Sequence, residues 1–393
     1  MTIVKIIYWL CLGIVFYTYI GYGIVLYIAV CIKRILKGSP QKPTLSSDEL
    51  LPEVTLVVCA YNEQDVVEMK MNNIRLTDYP KDKLHVMWVT DGSNDNTNAL
   101  LAEYPEVEIK FTPERRGKTA AVNRAMQMAE TSIVVMTDAN TMINDGAIRE
   151  IVRLFQDPTV GCVAGEKRVA ARQEGQIAAE GEGLYWKYES TLKRLDYELY
   201  STMGAAGELC ALRKELYSPI PEDSLLDDFI ISMNLVIRGY RIAYTSDAYA
   251  LEYGSADIKE EAKRKRRIAA GGLQSIWRLR TLLNPLKHPV ATFQYVSHRV
   301  LRWSITPIAL FALIPLNVML VMAKSGMAYN IIGLMQIMFY LSAYIGYQME
   351  QKDRKSKLFF VAYYFLFMNI NVFRGMVYLC KNKTGIWEKA RRG

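Results

Sequence analysis

Apolar and polar residues are unevenly spread along the chain. Four stretches, residues 6–32, 300–323, 329–347 and 358–380, carry almost no charge. Each is about as long as the roughly 20 residues a helix needs to cross a bilayer core. Between the first and second, short apolar runs alternate with helical patterns. Residues 54–59 (VTLVVC), 84–89 (LHVMWV), 107–111 (VEIKF) and 133–136 (IVVM) are predicted strands. Such near-continuous runs suit a sheet covered on both faces. Residues 118–129 and 147–155 are predicted helices; in the second, Ile148, Ile151, Val152 and Phe155 fall at positions 0, 3, 4 and 7. This order predicts an α/β fold with a Rossmann-like, mostly parallel sheet and right-handed crossovers, joined to α-helical transmembrane segments.

The chain has 393 residues, a net charge of +8 and 51% hydrophobic content. That length holds a sizeable core plus further segments. The first apolar stretch is too long for a signal peptide, and no small-residue cleavage pattern follows it. Lys33, Arg34 and Lys37 follow this stretch, and Lys352, Arg354, Lys355 and Lys357 separate the third from the fourth. Positive flanks favour the cytoplasm. The middle region, about residues 50–290, is therefore predicted to be cytoplasmic, in a multi-pass protein of the inner (cell) membrane.

The tail conflicts with this scheme. Lys381, Lys383, Lys389, Arg391 and Arg392 also favour the cytoplasm, whereas a fourth crossing puts them outside. Asn369, Asn371 and Arg374 lie inside the fourth stretch, where polar groups are costly unless buried in protein. A re-entrant or interfacial segment is one resolution.

The six cysteines form no Cys-x-x-Cys pair and read as small apolar residues. The three histidines, His85, His288 and His298, are dispersed, which argues against a zinc site and a Ser-His-Asp triad.

Polar residues follow the predicted strands: Tyr61, Asn62 and Glu63 after the first, Asp91 after the second, Asp138 and Asn140 after the run IVVM. Each acid alone is an ordinary turn residue. Together they mark the edge where α/β sheets bind ligands. No Gly-x-Gly-x-x-Gly follows the first strand, and Thr112 stands where a P-loop needs glycine. Gly117 and Lys118 open a helix whose N-terminus can face an anion.

The motifs AYNE, TDGSNDNT, RRGKTAAVN, VVMTDAN and LLDDFIISMNLVIRGY occur in that order over roughly residues 50–285. Together they closely resemble the membrane-bound family-2 glycosyltransferases, inverting GT-A enzymes related to cellulose, chitin, hyaluronan and poly-N-acetylglucosamine synthases. The resemblance implies a role for each matching position. Tyr61, Glu63 and Asp91 would hold uridine, and Lys118 would approach the nucleotide. Asp138 and Asn140 would hold the diphosphate through Mg²⁺ or Mn²⁺. Asp228 would be the catalytic base, preceded by Asp227. Residues 204–212 (GAAGELCAL), starting at Gly204, would lie beneath the acceptor. The chemistry needs these types: a carboxylate takes the proton of the attacking hydroxyl, and cations stabilise charge developing on the leaving diphosphate. Asp227 and Asp228 also suit the start of an amphipathic helix on local grounds.

Two positions depart from the family pattern. Processive members carry Gln-x-x-Arg-Trp after the base; residues 264–268 here read RKRRI. Arg267 keeps the arginine and is a candidate diphosphate clamp. Ile268 replaces the tryptophan that would stack on the acceptor, so transfer of one or a few sugars is expected rather than processive synthesis. The other basic residues of the run are expected to face lipid or solvent. The second departure is Asn140, whose oxygen can bind the metal but adds no negative charge. The metal would then be held largely through the substrate, or Asp138 alone would hold it while Asn140 caps the turn. Residues 273–283 (LQSIWRLRTLL) read as an interfacial helix.

The expected organisation is an N-terminal transmembrane helix (1–35), a GT-A domain (50–260), basic and interfacial helices (261–299), a C-terminal transmembrane region (300–381) and a basic tail (382–393). The expected partners are a UDP-sugar donor, a glycan or lipid-linked acceptor and membrane lipids, with no nucleic acid. Three alternatives stay open: a processive synthase of the same family, a membrane-anchored nucleotidyltransferase, and a non-catalytic nucleotide-sugar-binding assembly partner.

Overall fold

The computed structural model describes residues 1–38, 48–170, 177–253, 258–352 and 356–381. The four expected strands form as β1 (Val54–Ala60), β2 (Leu84–Asp91), β3 (Val107–Thr112) and β4 (Ile133–Asp138). β1 runs parallel to both β2 and β4, and β2 runs parallel to β3. Four further strands complete the sheet: β5 (Met142–Ile143), β6 (Val160–Ala170), β7 (Leu209–Arg213) and β8 (Arg241–Tyr253). The order is β3-β2-β1-β4-β7-β6-β8-β5. β7 is antiparallel to β4 and β6, and β5 is antiparallel to β8, so the sheet is mixed. The segment expected to be an acceptor loop therefore ends in a strand, because the run LCAL is buried throughout.

Every residue of β1 is buried, as a strand covered on both faces requires. Its odd and even positions feed two cores. Val57 and Cys59 pack with Met136 beneath α3 (Lys118–Met128) and α6 (Asp227–Ile237). Leu56 and Val58 pack with Trp88 beneath α2 (Val67–Arg75) and α4 (Ala147–Leu154). In α4 the apolar residues at helical spacing, Ile148, Ile151 and Val152, are all buried.

Among the described residues, four helices are long and apolar enough to cross a membrane: α1 (Thr2–Lys37), α9 (Ile305–Met322), α10 (Met327–Gln351) and α11, which occupies Lys357–Lys381. α1 runs antiparallel to α9; Thr18 and Thr306 share a hydroxyl hydrogen bond of 2.9 Å, and Asn317 donates to Tyr8 at 3.2 Å. A buried ionic cluster ties α1 to α5 (Ile177–Leu199) and to residues 294–302. His298 Nδ1 lies 2.5 Å from Asp196, Arg299 lies 2.7 Å from Glu189, and Tyr22 donates to Asp196. Pairing of this kind offsets the cost of taking the charges out of water.

α7 (Ile258–Arg278) follows the sheet and precedes α8 (Pro289–Tyr295). The expected separate interfacial helix does not form: residues up to 278 continue α7, and Arg280–Leu283 makes a short 3₁₀ turn. Trp277 and Leu286 remain 71% and 93% exposed on this segment. α11 packs along α7, with Gly375 against Ala269 and Ala270. Its asparagines are buried in protein: Tyr19 donates to Asn369 at 2.8 Å, and Asn371 donates to the Phe367 carbonyl.

Candidate active site

The carboxyl ends of β1 and β4, the first turns of α3 and α6, and the loop before β7 enclose a narrow cleft. Lys118, Asp138, Gly207, Asp227 and Asp228 line it, with Cys59 among its apolar residues. Pairing of β1 with β4 sets Cys59 beside Asp138. Lys118 opens α3, and its ammonium lies 2.6 Å from Asp138 Oδ1. Burial opposes that charge, but Asp138, Asp227 and Asp228 together hold the Lys118 pKa well above the usual lysine value.

Asp228 stands in the first turn of α6 and accepts a hydrogen bond from the Phe229 amide at 2.8 Å. This acid thus opens a helix and also lines the cleft. Burial first, and then the neighbouring Asp227, push the Asp228 carboxyl up to about 7, against the pull of Lys118. Gly207 passes close by: a Cβ there would lie 3.0 Å from Lys118 Nζ and 3.3 Å from Asp228 Oδ2.

Gly204 begins the segment expected beneath the acceptor. It is buried with φ +96°, and a Cβ would lie 2.2 Å from the Phe229 ring. It serves the packing of the residue that follows Asp228 rather than lining the cleft.

The residues expected at uridine gather at the ends of β1 and β2. Asp91 is 3% exposed, and its Oδ2 accepts from the Gly117 amide at 2.6 Å and the Arg116 amide at 2.9 Å. Its other oxygen meets Arg124 at 3.1 Å. This carboxylate fixes the turn leading into Lys118. Tyr61 lies beneath the Arg115 guanidinium, 3.8 Å from ring centroid to Cζ. Glu63 is 1% exposed, inside the turn that Asn62 enters at φ +54°.

Asn140 Nδ2 donates to Glu252 at 3.3 Å. Glu252 and Glu208 both pair with the buried Lys167, and Arg264 lies 3.5 Å from each. Burial opposes charge on Glu208, but Lys167 and Arg264 hold its carboxyl far below the usual range. Sequence reasoning missed this cluster; the available signal was the charged triplet Glu166-Lys167-Arg168 inside β6, which begins as an apolar run. The basic run of α7 also differs from expectation. Arg264 turns to these glutamates, Lys265 is buried 3.1 Å from Glu261, and Arg266 lies over Tyr378. Arg267 is half-buried and makes no hydrogen bond or ion pair with any described residue.

Among the described residues, no three or more His, Cys, Asp or Glu side chains converge as a metal site. Asp138 and Asn140 offer two hard oxygen donors from one turn, with one Asp138 oxygen engaged by Lys118. That set fits a divalent ion completed by a bound diphosphate, as Mg²⁺ sites commonly are.

A mixed sheet with acidic residues converging at the carboxyl ends of its parallel strands, beside membrane helices, is the arrangement of a membrane-associated GT-A enzyme. Residues 52–271, more than half of the chain, match the family described as glycosyltransferase like family 2, and the chain belongs to it. It is 27% identical over 215 residues to the poly-beta-1,6-N-acetyl-D-glucosamine synthase of Staphylococcus aureus, covering 52% of this chain and 50% of that one. It is 24% identical over 259 residues to the beta-monoglucosyldiacylglycerol synthase of Synechocystis sp., covering 61% and 53%. The chain thus spans about half the length of these curated relatives. The fold is shared with the mannosyltransferase PcManGT from Pyrobaculum calidifontis, solved with GDP-Man and Mn²⁺: TM-score 0.71, 22% identity, covering 95% of this chain and 99% of that one.

Proposed function

We propose that this glycosyltransferase moves one or a few sugars, with inversion, from a UDP-sugar to a membrane-proximal glycan or lipid-linked acceptor in surface polysaccharide or glycolipid synthesis. The supporting observation is the placement of Asp228, raised to about 7, in the same cleft as the Lys118–Asp138 pair. Asp228 takes the acceptor hydroxyl's proton as the oxygen attacks the sugar. A base with that pKa is half-ionised near neutrality, where proton acceptance is most effective. Lys118 and the unpaired Arg267 stabilise charge developing on the departing diphosphate. Mg²⁺ or Mn²⁺, held by Asp138 and Asn140, would supply further electrostatic stabilisation when bound. The names of the two curated relatives pair one polysaccharide product with one lipid product, which supports both acceptor classes. The test is UDP release from a set of UDP-sugars with membrane lipid extract as acceptor. Activity that survives Asp228→Asn unchanged would sink the assignment.

One observation favours the processive alternative. Trp303 stacks edge-on to Phe229 with ring centroids 5.1 Å apart, beside Gly272 of α7. An indole packed on the residue that follows Asp228 is a candidate for the stacking surface that Ile268 lacks. The length of the product made by purified enzyme decides between the two readings.

We further propose that the catalytic domain is cytoplasmic and that α11 lies along the cytoplasmic membrane face instead of crossing. Tyr8, Asn317 and Tyr329 meet at one end of the bundle. Thr18 meets Thr306 about 15 Å away, at the rise per residue of a helix. α11 keeps to the Thr18 end: Asn369 meets Tyr19, Phe365 meets Phe339, and Tyr378 meets Arg266 of α7. Three crossings then leave the basic flanks Lys33, Arg34, Lys37, Lys352 and Lys381 on one side.

A further inference from the structure

Lys70 is 0% exposed and sits mid-way along α2, outside the residues expected at the site. Its ammonium donates to Thr137 Oγ1 at 3.0 Å and to the Thr141 carbonyl at 2.6 Å. These two residues flank Asp138-Ala139-Asn140. One helical step along the same face, Asn73 donates to the Ile143 carbonyl at 2.7 Å and accepts from the Ile143 amide at 2.9 Å. α2 therefore grips the Asp138 turn on both sides. The Thr137 hydroxyl passes the connection on, donating to the Glu208 carbonyl at 2.9 Å. Glu208 follows Gly207, the glycine pressed against Asp228 and Lys118.

A fully buried ammonium is costly, and cheaper apolar fillers exist. Burial lowers the Lys70 pKa to about 7, and Asp138 is the charge that opposes the fall. Lys70 thus stands beneath Asp138 without touching it, leaving the carboxylate facing the cleft.

We propose that Lys70 and Asn73 are positioning residues of the transfer reaction: from one face of α2 they preform the Asp138–Asn140 turn as the platform for a divalent cation and a nucleoside diphosphate. The proposal rests on the reading of that turn given above. Because the grip fixes the turn before ligand arrives, its removal weakens metal–nucleotide binding rather than only global stability. Outer groups that orient metal ligands are typically worth about tenfold or more in metal affinity.

The test is a Mn²⁺ titration followed by electron paramagnetic resonance, with UDP present, on detergent-solubilised full-length protein. Lys70→Met is expected to weaken Mn²⁺–UDP binding about tenfold, and to raise the Mn²⁺ concentration needed for half-maximal UDP release. Asn73→Ala, which leaves the ammonium in place, is expected to weaken binding less, with little change in Tm. The second variant keeps the idea testable should Lys70→Met fail to fold. Wild-type affinity in Asn73→Ala together with wild-type affinity or misfolding in Lys70→Met would overturn it. Wild-type protein that binds no Mn²⁺ with UDP would overturn this proposal and the metal reading together. Normal Mn²⁺–UDP binding combined with full activity in Asp228→Asn would overturn the catalytic assignment alone.

Discussion

Lys118 Nζ lies 2.6 Å from Asp138 Oδ1, inside a cleft that also holds Asp227 and Asp228. One ammonium thus serves three carboxylates, and removing either member of the pair leaves buried charge unbalanced. Asp138→Ala is expected to abolish transfer, while Asn140→Asp keeps activity and tightens Mn²⁺ binding by adding a negative charge. An Asp138→Ala enzyme with normal UDP release would show that β4 was assigned the wrong role.

Asp228 predicts a pH signature. Its raised pKa means the folded protein holds that proton more tightly than the unfolded chain does. Stability attached to this group is therefore present at low pH and lost as pH rises toward about 7. Asp228→Asn should raise Tm more at pH 8 than at pH 5, while transfer falls by at least about a hundredfold, the low end for a lost general base. In the wild type, kcat should drop as pH falls through the same range. A flat profile from pH 5 to 8 would contradict the base assignment.

Gly204 and Gly207 should separate packing from catalysis. Gly204→Ala forces a Cβ into the Phe229 ring at a positive φ, so a loss of about 1–3 kcal/mol in stability is expected. Gly207→Ala crowds only the ends of Lys118 and Asp228. Activity should fall there with Tm nearly unchanged, which differential scanning fluorimetry beside a UDP-release assay checks.

Arg267→Ala is expected to lower kcat/KM by ten- to a hundredfold, about 1.4–2.8 kcal/mol in the transition state, without a change in Tm. Arg264→Ala, which strips partners from Glu208 and Glu252, should cost stability as well. Equal behaviour of the two variants would mean that Arg267 is not aimed at the diphosphate.

Cys380 is exposed at the end of α11, so it reports on membrane topology. In right-side-out cells, a membrane-impermeant maleimide should label it only after permeabilisation. Labelling in intact cells would establish a fourth crossing.

Periodicity alone located β1 to β4, α3, α4 and the four long apolar helices, because burial on two faces or in lipid writes itself into local composition. The acids at the strand ends were legible for the same reason: a parallel sheet presents the residues after its strands at one edge. β6, β7 and β8 were not legible. Their runs mix charged and small residues, and β7 is set by an antiparallel pairing to β4 across more than seventy residues of chain.

The sequence by itself determined the family, through ordered motifs that contain Asp91, Lys118, Asp138 and Asp228. The tertiary structure decided what each group faces. It turned Asp91 inward to hold the turn before Lys118, buried Gly204 under Phe229, and set Lys167 between two glutamates. It also placed Lys70 beneath the Asp138 turn. No local pattern encodes these outcomes, because each depends on which distant residue supplies the opposing charge or surface. Burial multiplies the energetic consequence of that choice, and burial is a property of the folded chain.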